Sequence, residues 1–160
     1  MADYVLFLLT LVAALGCGLI AGVFFGFSTF VMKALFNLPP AEGIAAMQSI
    51  NVSVLNRWFM GAFFGTGVAC VLLTLLVLPT NHGTSIVLVV LGSTLYLVGA
   101  LGVTIVCNVP RNQALAKLDP HAMNAPARWN DYAVSWTRWN HVRTVAALAA
   151  AALFSVALGV

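Results

Sequence analysis

Six polar side chains stand out in an otherwise apolar chain: Asn51, Asn108, Asn112, Asn140, His141 and Arg143. Four amides, an imidazole and a guanidinium make a set that donates hydrogen bonds and carries positive charge. Groups of that kind hold and polarise an oxygen anion such as a phenolate or enolate. Arg143 is the cation expected to face the anion, and His141 is the base nearby, since an imidazole titrates near neutrality. An exposed histidine at the start of a helix is the competing account of His141. Asn51, Asn108, Asn112 and Asn140 are the candidate substrate-binding amides, with Trp136 and Trp139 as aromatic walls.

What is missing narrows the chemistry further. No Asp or Glu falls inside an apolar run, which argues against a carboxylate proton relay or an ion-coupled transporter. There is no G-x-S-x-G elbow, no phosphate-binding loop and no paired carboxylates. His82, His121 and His141 are scattered, so neither a metal site nor a haem is expected, and no cofactor is implied. Ser28 and Thr29 are expected to bond back to their own helix.

The elements that must position these residues follow from composition. Of 160 residues, 62% are hydrophobic and 7% are charged, against roughly 25% charged in a soluble domain. A fold this small leaves too much surface exposed to hide that much apolar side chain from water, so the solvent is lipid. Soluble enzymes, secreted disulfide scaffolds and nucleic-acid modules are excluded. Cys17, Cys70 and Cys107 have no metal-type spacing and an odd count, which suits small buried or lipid-facing fillers.

Four apolar runs, about 4–32, 58–78, 84–107 and 139–159, are each long enough to span a bilayer. They make residues 1–160 a single membrane domain. The first run lacks a basic leader and a small-residue cleavage site and is expected to be a mature helix. Lys33 and Arg57 flank the first long connection, 33–57. Arg111, Lys117, Arg128, Arg138 and Arg143 lie in or beside the second, 108–138, while the turn from Pro79 to Gly83, with His82, has no Lys or Arg. The positive-inside rule therefore places both connections in the cytoplasm and both termini outside.

Neither connection is a plain loop. Pro39-Pro40-Ala41-Glu42 reads as a helix start, leading to an interfacial or re-entrant helix with Gln48, Asn51 and Leu55 on one face. Asn108-Val109-Pro110-Arg111-Asn112 is expected to close span three, with Pro110 opening a short helix through Leu118 that Asp119-Pro120 breaks. A further helix starts near Pro126 and runs into span four. On it Trp129, Tyr132, Trp136, Trp139, Asn140 and Arg143 are predicted to form one stripe. An interfacial aromatic belt is its ordinary meaning, with Asp131, Ser135 and Arg138 on the opposite, solvated face. The expected fold is all-α: an integral membrane four-helix bundle with short interfacial helices in the two cytoplasmic connections. Ala14, Gly18, Gly22 and Gly26 recur at spacing four, and Gly61 and Gly65 repeat the pattern. Small stripes of this kind let helices approach closely. The expected result is tight packing inside the bundle, a groove for a flat ligand walled by Phe24, Phe25, Phe27 and Phe30, or a homo-oligomer formed through Gly18, Gly22 and Gly26.

Three segments together, Ala46-Met47-Gln48-Ser49-Ile50-Asn51, Asn108-Val109-Pro110-Arg111-Asn112 and Trp136-x-x-Trp139-Asn140-x-x-Arg143, resemble the anthrone-oxygenase-like family. Many bacterial members of that family are known only as a domain of unknown function. The resemblance covers nearly the whole chain. It implies a four-helix membrane protein, and characterised fungal members oxidise anthrones to anthraquinones with molecular oxygen and no evident cofactor. By position Asn51, Asn108, Asn112, Asn140 and Arg143 match the family's polar motifs. The implied partners are the bilayer and a lipophilic aromatic small molecule. Two alternatives stand beside this one: a non-enzymatic protein that binds or moves a lipophilic compound, and a structural or partner subunit.

Overall fold

The computed structural model describes residues 2–80 and 83–159; the position expected for His82 lies outside them. Helix α1 runs unbroken through Ala2–Gly26, Phe27–Val31 and Met32–Phe36. Helix α2 is Pro40–Ser53 and α3 is Arg57–Val77. Helix α4 passes from Gly83–Thr94 through Leu95–Gly102 and Thr104–Asn108 into Val109–Ala116, and α5 is Ala125–Ala157. The described residues form helices joined by short turns, with no strand among them, and four stretches are long and apolar enough to cross a membrane: Tyr4–Phe36, Arg57–Val77, Ser85–Ala116 and Ala125–Ala157. The protein is a multi-pass, all-α membrane protein. Helix α1 packs on α3 and α5, and α4 packs on the same two helices, so the spans close an up-down-up-down bundle.

Local chemistry sets the helix ends. Pro40 opens α2 with Glu42 in its first turn, which suits the positive end of the helix dipole. The Asn56 side chain caps α3 by accepting from the Trp58 and Phe59 amides, both at 3.0 Å. Gln48 Nε2 donates to the carbonyls of Leu115 and Leu118, both at 2.9 Å. It thereby ties α2 to the closing turn of α4, where the Leu115 carbonyl also accepts from the Leu118 amide at 3.0 Å. Gln48 thus serves the junction between the two connections. Asp119 Oδ1 accepts from the His121 amide, forming the turn expected at Asp119-Pro120.

The break expected at Asn108-Val109-Pro110 is absent. Pro110 has no N–H and its ring crowds the carbonyl one turn earlier, but Thr104–Asn108 is π-helical. The wider winding accommodates the proline, and Arg111 Nη1 donates to the Cys107 carbonyl at 2.5 Å. The helix therefore continues without a break from span three to Ala116.

The glycine stripe is also placed differently from expectation. A Cβ at Gly18, Gly22, Gly61 or Gly65 would meet nothing within 4 Å, so these glycines face outward and do not pack the bundle. Close approach happens at other glycines. A Cβ at Gly16 would collide with the Thr66 side chain, one at Gly99 would lie 2.5 Å from Ala146 Cβ, and one at Gly43 would lie 2.8 Å from the Leu35 carbonyl. Spacing alone did not reveal which glycine face turns inward.

Two apolar cores stack along the bundle. The one toward the chain termini includes Cys17, Ile20, Phe24, Phe63, Leu73, Tyr96 and Phe154. The other, at the end carrying the long connections, includes Met32, Ile44, Met47, Leu115, Trp129, Tyr132 and Trp136. Polar side chains gather where the two cores meet.

Candidate functional site: a buried arginine between aromatic rings

Helix α5 supplies the framework. Trp129, Tyr132, Trp136, Asn140 and Arg143 are all buried on it, at the three- and four-residue spacing that keeps side chains on one helix face. Trp129 stacks on Tyr132 with ring centroids 5.6 Å apart, Tyr132 lies 6.4 Å from Trp136, and Phe27 of α1 lies 5.7 Å from Trp136. This aromatic column leads to Arg143.

The Arg143 side chain is 5% exposed and Asn140 is fully buried. Arg143 Nη2 donates to Asn140 Oδ1 at 2.5 Å, and Nη1 donates to Thr104 Oγ1 of α4 at 3.1 Å. Its Cζ lies 4.2 Å from the Phe24 ring centroid and 5.2 Å from that of Trp136, close enough on both sides for cation–π attraction. Asn140 Nδ2 in turn donates to the Phe24 carbonyl and to Ser28 Oγ, each at 2.7 Å. Asn140 therefore joins α1 to α5, and Arg143 joins α5 to α4.

None of these partners is a carboxylate. The four acidic residues of the chain are Asp3, Glu42, Asp119 and Asp131, and among the described residues Arg143 bonds to no carboxylate. Arg143 Nε is buried with no hydrogen-bond partner, and so is Asn108 Oδ1. An arginine in a spanning helix costs up to about 2.5–3.5 kcal/mol on insertion scales, the full cost applying at the bilayer centre. Two neutral acceptors and two ring faces offset that cost and leave the positive charge uncompensated. Depth follows from helix rise. With Ala157 at one face of the hydrocarbon, Arg138 lies about 28 Å away at the other face, and Arg143 about 7 Å inside it. The 21-residue α3 gives the same ruler, with Arg57 at the boundary.

A second cluster extends the site toward the connections. Asn112 Oδ1 accepts from Tyr132 Oη at 3.0 Å and from Trp136 Nε1 at 2.8 Å, and Asn108 Nδ2 donates to the Trp136 carbonyl at 3.2 Å. These contacts bring Asn108, Asn112, Trp136, Asn140 and Arg143 together. Asn51 is half-buried on α2, with its Nδ2 buried and unpartnered. Two residues fall outside the set. His141 is exposed, because one residue along a helix turns the side chain by about 100° from Asn140. Trp139 is half-buried on the outer side of α5, with Arg111 Cζ 6.0 Å from its ring. The stripe expected on α5 is therefore continuous without Trp139.

Three residues escaped the sequence reading of the site. Thr104 binds Arg143 from α4. Ser28 was expected to bond to its own helix; it instead accepts from Asn140 and lies 3.3 Å from Thr144 Oγ1. Phe24 was expected only as one of several walls; it is the closest ring to Arg143, while Phe25 and Phe30 point outward. Ser28, Thr104 and Asn108 all sit in π-helical stretches, a winding often found at functional sites. Among the described residues no group of three or more His, Cys, Asp or Glu is placed to hold a metal ion.

The family model described as anthrone oxygenase matches residues 56–153, more than half of the chain. The chain belongs to the anthrone oxygenase family. Comparison with curated proteins and with solved structures gives no match. The region shared with the anthrone oxygenases covers α3, most of α5 and all of α4, and so holds Thr104, Asn108, Asn112, Trp136, Asn140 and Arg143. Phe24, Ser28 and Asn51, from α1 and α2, complete the surroundings from outside that region.

Proposed function

We propose that this anthrone oxygenase family member oxygenates a flat, lipophilic phenol of the anthrone type, using molecular oxygen and no cofactor. The observation that carries the proposal is Arg143, buried without a carboxylate, its Nε unpartnered, between the rings of Phe24 and Trp136. Such a group stabilises an enolate oxygen in a low-dielectric setting, where a fixed charge acts more strongly than in water.

The substrate enters from lipid beside the aromatic column, with its carbonyl oxygen toward Arg143 and its reacting methylene toward the connection end. Loss of a methylene proton to water leaves an enolate, with the negative charge on the oxygen held by Arg143 and Asn140 as its positioning partner. The enolate passes one electron to oxygen, and the resulting radical pair combines to form a carbon–oxygen bond at the former methylene. The peroxide takes a proton. Loss of the second C–H proton then breaks the O–O bond, releases water and leaves a carbonyl. One substrate and one oxygen molecule give one quinone and one water. His141 takes no part, because it faces away from Arg143. All seven Lys and Arg lie toward the connection end, which supports a cytoplasmic connection end with both termini outside.

The test is oxygen uptake by detergent-purified protein given anthrone, against Arg143→Ala and a protein-free control that corrects for autoxidation. Uptake well above both controls is the expected result. Uptake equal to the protein-free control overturns the oxygenase proposal. A second reading, binding or moving a lipophilic phenol without turnover, is favoured by one observation: the buried set around Arg143 holds neither an imidazole nor a carboxylate to act as a base. Retention of the phenol with no oxygen uptake would support it.

A further inference from the structure

A second site lies on the opposite side of α5 from Arg143. A groove of about 700 Å³ runs between α4 and α5 and is lined by Arg111, Ser135, Arg138, Trp139 and Val142, with Asp131 at its outer rim. The Arg111 guanidinium is already oriented: Nε donates to Ser135 Oγ at 3.2 Å and Nη1 to the Cys107 carbonyl. Its Nη2 makes no hydrogen bond among the described residues, and Trp139 lies alongside. Arg138 is exposed, as is Asp131. Two arginines against one carboxylate leave the groove positive.

Depth identifies the class of ligand. The helix rise that places Arg143 inside the hydrocarbon places Arg138 at its edge, from which its long side chain reaches the lipid phosphates. Val142 lies one turn deeper and is exposed, followed by exposed Val145 on α5 and exposed Ile105 on α4. Charge therefore sits at phosphate depth above a strip of apolar side chains at acyl-chain depth. A half-buried tryptophan marks the boundary, as is usual at membrane interfaces.

The geometry points to a binding site for one anionic phospholipid, its headgroup phosphate held by Arg111 and Arg138 and its acyl chain lying along Val142. Basic grooves between spanning helices bind anionic headgroups in this way. Asp131 at the rim opposes a second negative charge and limits the site to a headgroup of low charge. The site is independent of the oxygenase proposal, since it shares no side chain with the Arg143 network.

Native mass spectrometry of the purified protein released from mixed micelles tests the site, with phosphatidylglycerol or phosphatidylcholine as the added lipid. The wild type is expected to retain phosphatidylglycerol in preference to phosphatidylcholine. Each of Arg111→Gln and Arg138→Gln should lower that retention about fivefold, and Asp131→Asn should raise it. Asp131→Asn acts on an exposed side chain and works in the opposite direction, so misfolding cannot mimic its effect. Lys117→Gln with Arg128→Gln removes twice the charge of either single variant from the same end of the bundle and should leave retention unchanged. Three results would overturn the assignment. These are equal retention of the two lipids, an equal loss in the Lys117 and Arg128 pair, or displacement of the lipid by inorganic phosphate at the same concentration, which marks a site for free anions.

Discussion

Asn140→Asp changes the buried arginine most while altering shape least. The substitution puts a carboxylate where the Asn140 Oδ1 now accepts from Arg143 Nη2 at 2.5 Å, and so pairs a charge that the wild type leaves open. Donation from Nδ2 to the Phe24 carbonyl is lost, and the Ser28 hydroxyl can rotate to donate to the new carboxylate. A ligand anion about 4 Å from the guanidinium gains about 4 kcal/mol at an effective dielectric constant of about 20. Most of that gain disappears once the arginine is neutralised. As about 1.4 kcal/mol corresponds to one pKa unit, the full effect is about 3 units, and about 1 unit remains if the pair is strongly screened. A hydroxyanthraquinone reports it directly, because its visible band changes when the phenol ionises. The band is titrated in nanodiscs with protein-free discs as the blank. Burial raises the phenol's pKa in both proteins and cancels in the comparison. Arg143 favours the phenolate, so the bound dye should ionise at lower pH in the wild type and about 1–3 units higher in Asn140→Asp. A difference under about half a unit, with the dye still bound, would refute the claim that Arg143 presents an uncompensated charge to the ligand.

Other outcomes follow from packing and capping. Gly99→Ala sets a methyl 2.5 Å from Ala146 Cβ and should destabilise the bundle by about 1–3 kcal/mol in thermal unfolding. Gly18→Ala and Gly22→Ala meet nothing within 4 Å and should stay within about 0.5 kcal/mol of the wild type. If the two outward glycines instead form a contact between copies, their bulkier variants Gly18→Leu and Gly22→Leu will shift the oligomeric state on gel filtration. Gln48→Leu removes the two bonds to the Leu115 and Leu118 carbonyls, each contributing about 1 kcal/mol. Amide exchange around 115–122 should then accelerate by about 5–30-fold; unchanged exchange would mean that Gln48 does not hold the junction.

The bundle was legible in the sequence because bilayer thickness fixes span length and the scarcity of charge leaves little choice of boundary. The buried face of α5 was legible for a related reason, since Trp129, Tyr132, Trp136, Asn140 and Arg143 repeat at helical spacing. Neighbours in the chain are harder to assign, and Trp139 and His141 illustrate this. They flank Asn140 yet point elsewhere, and only the helix phase separates them from the set. Contacts between helices were the least legible. Ser28 and Thr104 have the side chains of ordinary helix-bonding residues, and nothing in their spacing names Asn140 or Arg143 as a partner. Glycine spacing showed a thin stripe on α1, but the direction it faces depends on residues of other helices, such as Thr66 against Gly16. The continuity of α4 through Pro110 was hidden as well, because sequence rules stop an α-helix at that proline and do not anticipate a π turn beside it.

The π-helical stretches of α4 make the site sensitive to helix winding in a way that residue identity does not capture. Leu95–Gly102 and Thr104–Asn108 set the phase at which Asn108, Arg111 and Asn112 emerge. Deleting one residue from a π turn lets it close as ordinary α-helix and leaves the phase beyond it nearly unchanged. Closing the same turn as α-helix with no residue removed would instead turn everything beyond it by about 100°. Asn108 and Asn112 would then swing away from Trp136, and Arg111 away from Ser135, with every motif letter intact. A relative one residue shorter between Leu95 and Asn108 and wound there as plain α-helix would therefore keep the site, whereas one of equal length without the π turns would share the motif without sharing the site.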